Sequence, residues 1–183
     1  MKKEISRQEI EEKLQQMGDY VKMDFLQRSL KTNLDFDTRR FVQIKLAKIY
    51  ESRNMFAEAG RLIKNSADIN TTFKGKIQDY IKSAELFIRG GNFDESENVL
   101  KRALACGNSS EKSEIKDNYK KFLLVQSEIY LNQDKRNQAR KVLERTLLLD
   151  LSYNEKREIQ DKLLKLYEKL GLIREHNSLK KNM

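Results

Sequence analysis

Proline and tryptophan are absent from this 183-residue chain, and cysteine and histidine occur once each, as Cys106 and His176. A single cysteine forms no internal disulfide, and the lone histidine lies too far along the chain to complete a Cys/His zinc cluster with it. A disulfide scaffold and a structural zinc site are excluded. Long apolar runs are missing as well: the longest, Phe122 to Val125 and Leu147 to Leu149, fall far short of the roughly 20 residues that cross a bilayer. The start, Met1-Lys2-Lys3-Glu4-Ile5-Ser6, is charged with no apolar stretch behind it, so no secretory leader is read and a cytoplasmic protein without membrane partners is expected. The Asn-x-Thr/Ser sequons at Asn70 and Asn108 are then read as loop positions.

What is present points to helix. Apolar residues make up 38% of the chain, below the usual ~45–50%, which favours a thin, extended core over a thick one. They recur at i, i+3, i+4 and i+7 throughout, as in Leu46, Ile49, Tyr50 or Ile159, Leu163, Leu166, Tyr167, Leu170, and no strand-like alternation is visible. Ser6 with Glu9, Asn92 with Glu95 and Ser152 with Glu155 have the spacing of capping boxes. Breaks are read at Gly18, at 52–54, 71–72, 90–92, 107–110, 132–134 and 150–152, and at Gly171, delimiting about ten helices joined by short connections. No segment looks like an interdomain linker, so 1–183 is read as one domain.

The helices repeat. Aligned on the residue before each tight turn, the anchors Leu14, Tyr50, Phe87, Tyr130 and Tyr167 mark five antiparallel hairpins at a spacing close to a period of about 34 residues. A small or apolar side chain recurs three residues before the anchor (Ala47, Ala84, Leu164) and a small one nine after it (Ala59, Ser96, Ala139). An aromatic or apolar residue stands six after it (Tyr20, Phe56, Phe93, Ile173), a rule that Arg136 breaks.

Through Leu46-Ala47-Lys48-Ile49-Tyr50 with Ala57-Glu58-Ala59, and Ala84-Glu85-Leu86-Phe87 with Gly91-Asn92-Phe93 and Ala103, the chain resembles the tetratricopeptide-like family. The resemblance implies an all-α, right-handed α-solenoid of about five antiparallel helical hairpins. It departs from the family pattern in lacking the first-helix Trp and the terminal Pro. The runs Leu46 to Ala59, Tyr80 to Phe87 and Tyr119 to Tyr130 are also similar to the helical arm of proteasome-lid and COP9-signalosome subunits, which serves as a scaffold; no winged helix is readable after Leu170.

No catalytic constellation is legible. Gly90-Gly91 lacks the further glycines and the lysine of a phosphate loop and follows a helix, so it reads as a helix end and turn. His176 reads as a surface residue and Cys106 as a small buried hydrophobe. The pairs Glu11-Glu12 and Asp94-Glu95 stand near helix N-termini, where the dipole favours them. A non-enzymatic protein with no cofactor and no metal is expected.

The family resemblance implies that the first helix of each hairpin lines a concave groove. The positions it marks as partner-binding are Phe41, Ile44 and Lys48, then Gln78, Ile81, Glu85, Ile88 and Arg89, then Lys121, Leu124, Glu128 and Leu131. An apolar groove with a charged fringe suits an amphipathic helix or peptide of another protein. Ile44, Ile81 and Leu124 stand where chaperone-tail adaptors need Lys and Asn. Two other readings of the same residues stand beside this one: they are core, or the chain's own terminal helix fills the groove.

The formal charge of +9 leans toward the C-terminal third. Lys135, Arg136, Arg140, Lys141 and Arg145 form basic rows at four-residue spacing there, an alternative surface for nucleic acid, RNA in particular. No aromatic is interleaved on it and Glu144 interrupts it, as in an ordinary solvated helix face. A third reading is a sensor whose superhelix closes on a small ligand.

Overall fold

A computed structural model describes residues 6–183, and these hold ten α-helices and no strand. The leader reading at residues 1–5 lies outside the described residues. The helices are α1 (Arg7–Gln15), α2 (Asp19–Leu30), α3 (Phe36–Ser52), α4 (Phe56–Asp68), α5 (Phe73–Arg89), α6 (Phe93–Cys106), α7 (Ser109–Asn132), α8 (Arg136–Thr146), α9 (Tyr153–Leu170) and α10 (Ile173–Lys181). They form two compact units, one ending at Ile115 and one covering Lys116–Met183. Among the described residues no helix is long and apolar enough to cross a membrane.

The repeat is written in the backbone of four turns. After the anchors Tyr50, Phe87, Tyr130 and Tyr167, the residue four positions on takes a left-handed conformation: Asn54 (φ 60°), Gly91 (φ 73°), Asp134 (φ 53°) and Gly171 (φ 68°). The next residue donates its N–H to the anchor carbonyl in every case: Met55 to Tyr50 at 2.9 Å, and Asn92 to Phe87, Lys135 to Tyr130 and Leu172 to Tyr167 at 2.8 Å. The left-handed residue itself bonds the carbonyl three back, as Asn54 does to Glu51 at 3.0 Å and Gly171 to Glu168 at 3.1 Å. These are four copies of one helix-ending motif, which satisfies the last carbonyls and reverses the chain. Leu14 does not share it: Gly18 has φ −73° and serves as the N-cap of α2, so the first hairpin turns differently.

The same geometry explains one failed cap. Asn92 stands at the N-cap of α6 but its side chain makes no capping bond, because its backbone is committed to the Phe87 turn and sits at φ −91°, ψ 65°. Ser6 and Ser152, in extended conformation, form complete capping boxes with Glu9 and Glu155. A break not expected from the sequence separates α2 from α3, where Asp35 caps α3 by accepting from the Thr38 N–H at 2.8 Å.

In the first unit α3 packs on α2 and α4, and α5 on α4 and α6. Polar links fix the directions. Asp68 on α4 accepts from Tyr80 of α5 at 2.6 Å, and the Gly60 carbonyl accepts from Ser83 at 2.8 Å, so α4 and α5 run antiparallel. Arg102 of α6 meets Asp68 at 2.8 Å and Glu95 meets Lys64 at 3.9 Å, so α4 and α6 run parallel. The small residues before and after the anchors do what close helix approach requires: Ala47, Ala59, Ala84, Ser96 and Ala139 are buried. The residue six past the anchor follows suit only in the middle hairpins, where Phe93 is buried and Phe56 half-buried; Tyr20 and Ile173 are exposed.

Asn70, read from the sequence as a loop sequon, is a buried junction. Its side chain accepts from the Thr72 N–H at 3.2 Å and donates to Asp79 at 3.2 Å. The same Asp79 oxygen accepts from Ser66 at 3.4 Å and from Arg40 at 2.8 Å. One carboxylate oxygen thus ties α3, α4, α5 and the α4–α5 connection together.

In the second unit α9 packs on α8 and α10. Lys120 of α7 meets Glu155 at 2.6 Å and Glu128 meets Lys162 at 2.7 Å, so α7 and α9 run parallel. Lys120 draws the Glu155 carboxyl down to about 2, helped by bonds from Ser152. Leu123, Val142, Leu143, Ile159 and Leu163 form the interior.

Candidate functional site

The predicted partner-binding positions of the first unit lie on α3 and α5. These helices run parallel, since Arg40 meets Asp79 near their N-terminal ends and Glu51 meets Lys82 at 3.0 Å and Arg89 at 2.6 Å farther along. Ile44 and Lys48 of α3, and Ile81 of α5, fall between these two links. Ile44 and Ile81 are half-buried, while Lys48 and Gln78 are exposed.

Ile88 is corrected. At 1% exposure it belongs to the interior, so no partner reaches it. Leu86, Phe87 and Ile88 are all buried, because α4 and α6 both pack on this helix.

Glu85 and Arg89 are bound into a cluster with Glu51 and Lys82. Lys82 lies 3.1 Å from Glu85, Arg89 lies 3.4 Å from Glu85, and the Arg89 guanidinium stacks 4.2 Å from the Phe56 ring centre. Burial pushes the Glu51 carboxyl up, but Lys82 and Arg89 beside it hold it below the usual range. Glu51 and Lys82 escaped the sequence reading, since only the fold brings residues 31 positions apart together. Phe41 carries the Arg7 guanidinium of α1 at 4.5 Å and the Lys45 ammonium at 5.3 Å. Arg7 of the chain's own first helix thus lies against Phe41 at that end of α3.

In the second unit Lys121 is exposed, Leu124 and Leu131 are half-buried, and Glu128 is engaged by Lys162. The more exposed apolar residues of α7 are Val125 at 59% and Ile129 at 39%, one position beyond Leu124 and Glu128. The basic rows of α8 are interleaved with acid. Arg136 bonds Asp134 at 2.7 Å and Arg140 bonds Glu144 at 2.8 Å, and Glu144 also accepts from Tyr167 at 3.0 Å. Burial, with Glu144 beside it, pushes the Tyr167 hydroxyl up to about 12. Lys135 and Lys141 are exposed, and Arg145 is half-buried.

Sequence reasoning missed a cleft of about 560 Å³ between α1, α2 and α3. Leu14 and Ile49 line it above the fully buried Leu26, and Lys22, Lys45 and Lys48 stand on its walls with Glu11 and Asp19. Of these residues only Lys48 was read as a partner-binding position; the irregular first hairpin makes the rest its neighbours. Cys106 and His176 are half-buried, and no group of three or more His, Cys, Asp or Glu among the described residues is placed to hold a metal ion. Compared with models of known protein families and with curated proteins, the chain matches none.

Proposed function

We propose that this chain is a non-enzymatic, cytoplasmic protein-interaction scaffold of tetratricopeptide-like hairpins, whose α3/α5 face holds a helix or peptide of a partner protein. The observation that carries this reading is the pair of parallel helices tied at two levels by Arg40–Asp79 and by the Glu51–Lys82–Glu85–Arg89 cluster. Half-buried Ile44 and Ile81 and exposed Lys48 and Gln78 lie on the helices so fixed. A surface held rigid before binding loses less entropy on association, and apolar side chains fringed by polar ones suit an amphipathic segment. The four identical turns on the predicted anchors support the repeat resemblance.

The test is affinity capture from source-cell lysate at low and high salt, with nuclease-treated and untreated halves. A protein partner retained in high salt after nuclease, and lost with Ile44→Asp/Ile81→Asp at unchanged helicity, supports the reading. Nucleic acid that elutes with salt and is lost when Arg136, Arg140 and Arg145 become Glu would transfer the function to the basic rows.

A further inference from the structure

We propose that the cleft between α1, α2 and α3 is a separate seat for an acidic amphipathic helix of a partner protein. It goes beyond the α3/α5 face, with which it shares Lys48 alone. The argument is one of charge. Both carboxylates on the cleft walls already have cationic partners outside its lining: Glu11 pairs with Arg7 at 3.5 Å, and Asp19 with Arg53 at 3.9 Å. Arg53 is further held by stacking 3.8 Å from the Tyr20 ring centre. Of the three wall lysines, Lys45 leans over Phe41, and Lys22 and Lys48 meet no carboxylate among the described residues. The cleft therefore presents ammonium groups that its own acids do not neutralise.

The apolar residues of the lining are Leu14, Leu26 and Ile49. A bare anion would leave this apolar lining uncovered, and a purely apolar segment would leave the lysines without counter-charge. A helix with an apolar residue flanked at i±3 or i±4 by Asp or Glu satisfies both. At about 560 Å³ the cleft is within the range of ligand pockets, roughly 300–1,000 Å³, and admits large apolar side chains.

The full chain is used to select binders from a phage-displayed library of random helix-length peptides, and the winners are measured by fluorescence anisotropy. The expected result is enrichment of peptides with Leu, Ile or Phe among Asp and Glu. Their affinity falls about tenfold with Lys22→Glu/Lys48→Glu, falls with rising salt, and is unchanged by Ile81→Asp. If the double reversal lowers helicity or melting temperature, Lys22→Gln/Lys48→Gln serves in its place, with a smaller loss in the same direction. Winners that are neutral or basic, or acidic winners that bind the lysine variants as well as the parent, overturn the proposal. Winners lost only with Ile81→Asp overturn it while supporting the α3/α5 face, and absence of any winner counts against both.

Discussion

Replacing Gly75 by alanine should weaken this fold, although the same change in a helix ordinarily strengthens it by up to about 1 kcal/mol. Gly75 lies in the first turn of α5, where its N–H is capped by the Thr72 hydroxyl at 3.1 Å. A Cβ built there would fall inside the van der Waals envelope of the Asn70 side-chain amide. That amide is buried and holds three bonds: from the Thr72 N–H at 3.2 Å, from the Thr72 hydroxyl at 3.3 Å, and to Asp79 at 3.2 Å. It cannot swing away without breaking them. At about 0.5–1.5 kcal/mol each, their loss outweighs the propensity gain and leaves Gly75→Ala about 1–2 kcal/mol less stable, a fall in melting temperature of roughly 2–8 °C for a chain of this size. Asn70→Ala removes the obstructing atoms. In that background Gly75→Ala should be neutral or stabilising, so the sign of the effect reverses between the two arms of a double-mutant cycle read by thermal unfolding. A parent chain stabilised by Gly75→Ala would refute the buried junction of Asn70, Asp79 and Arg40.

Further expectations follow from the turns and charges. Gly171→Ala, at a left-handed position with open space around it, should cost about 1 kcal/mol from backbone strain alone; Asn54→Gly, at the equivalent position, should be close to neutral, and equal effects in chemical denaturation would contradict the shared motif. Glu155, held down to about 2 by Lys120 and Ser152, adds stability that is present above its ordinary value of 4.5 and lost as pH falls through about 2. Glu155→Gln should therefore flatten the melting-temperature profile across that window, and a profile parallel to the parent's would rule the contribution out. Burial and the bond to Asp68 push the Tyr80 hydroxyl up to about 12 from the ordinary 10.0. An ultraviolet titration should therefore show a late component, shared with Tyr167, which Tyr80→Phe should shrink without abolishing; an unchanged late component would contradict the Tyr80–Asp68 bond.

The helical repeat was readable because its signals are local. Tyr50, Phe87, Tyr130 and Tyr167 stand four residues before Asn, Gly, Asp and Gly, the residue types that tolerate a left-handed backbone. The small residues at fixed offsets from them are likewise written in one stretch of chain. The break before α3 was harder to see, since Asp35 is followed three residues on by Thr38 in place of the Glu of a capping box. Asn92 carried the right cap spacing, but the turn that precedes it had already set its backbone.

The candidate site was legible only in part, because burial and pairing there depend on residues far apart in sequence. Ile44 and Ile81 do fall on parallel helices of one unit. Ile88 is buried by the two helices packed on α5, a two-sided enclosure that a single apolar stripe does not announce. Glu85 and Arg89 find Glu51 on another helix, and Phe41 finds Arg7. The α1–α3 cleft arises where the first hairpin departs from the repeated turn, so no periodicity could have pointed to it.

The most direct test of the scaffold reading is site-specific photo-crosslinking in source cells, with a photoreactive residue placed at exposed Gln78 on α5 or at exposed Lys141 on α8. The account predicts a discrete protein adduct from position 78 that survives nuclease, with none from position 141. Adducts formed only from position 141, and containing nucleic acid, would contradict it.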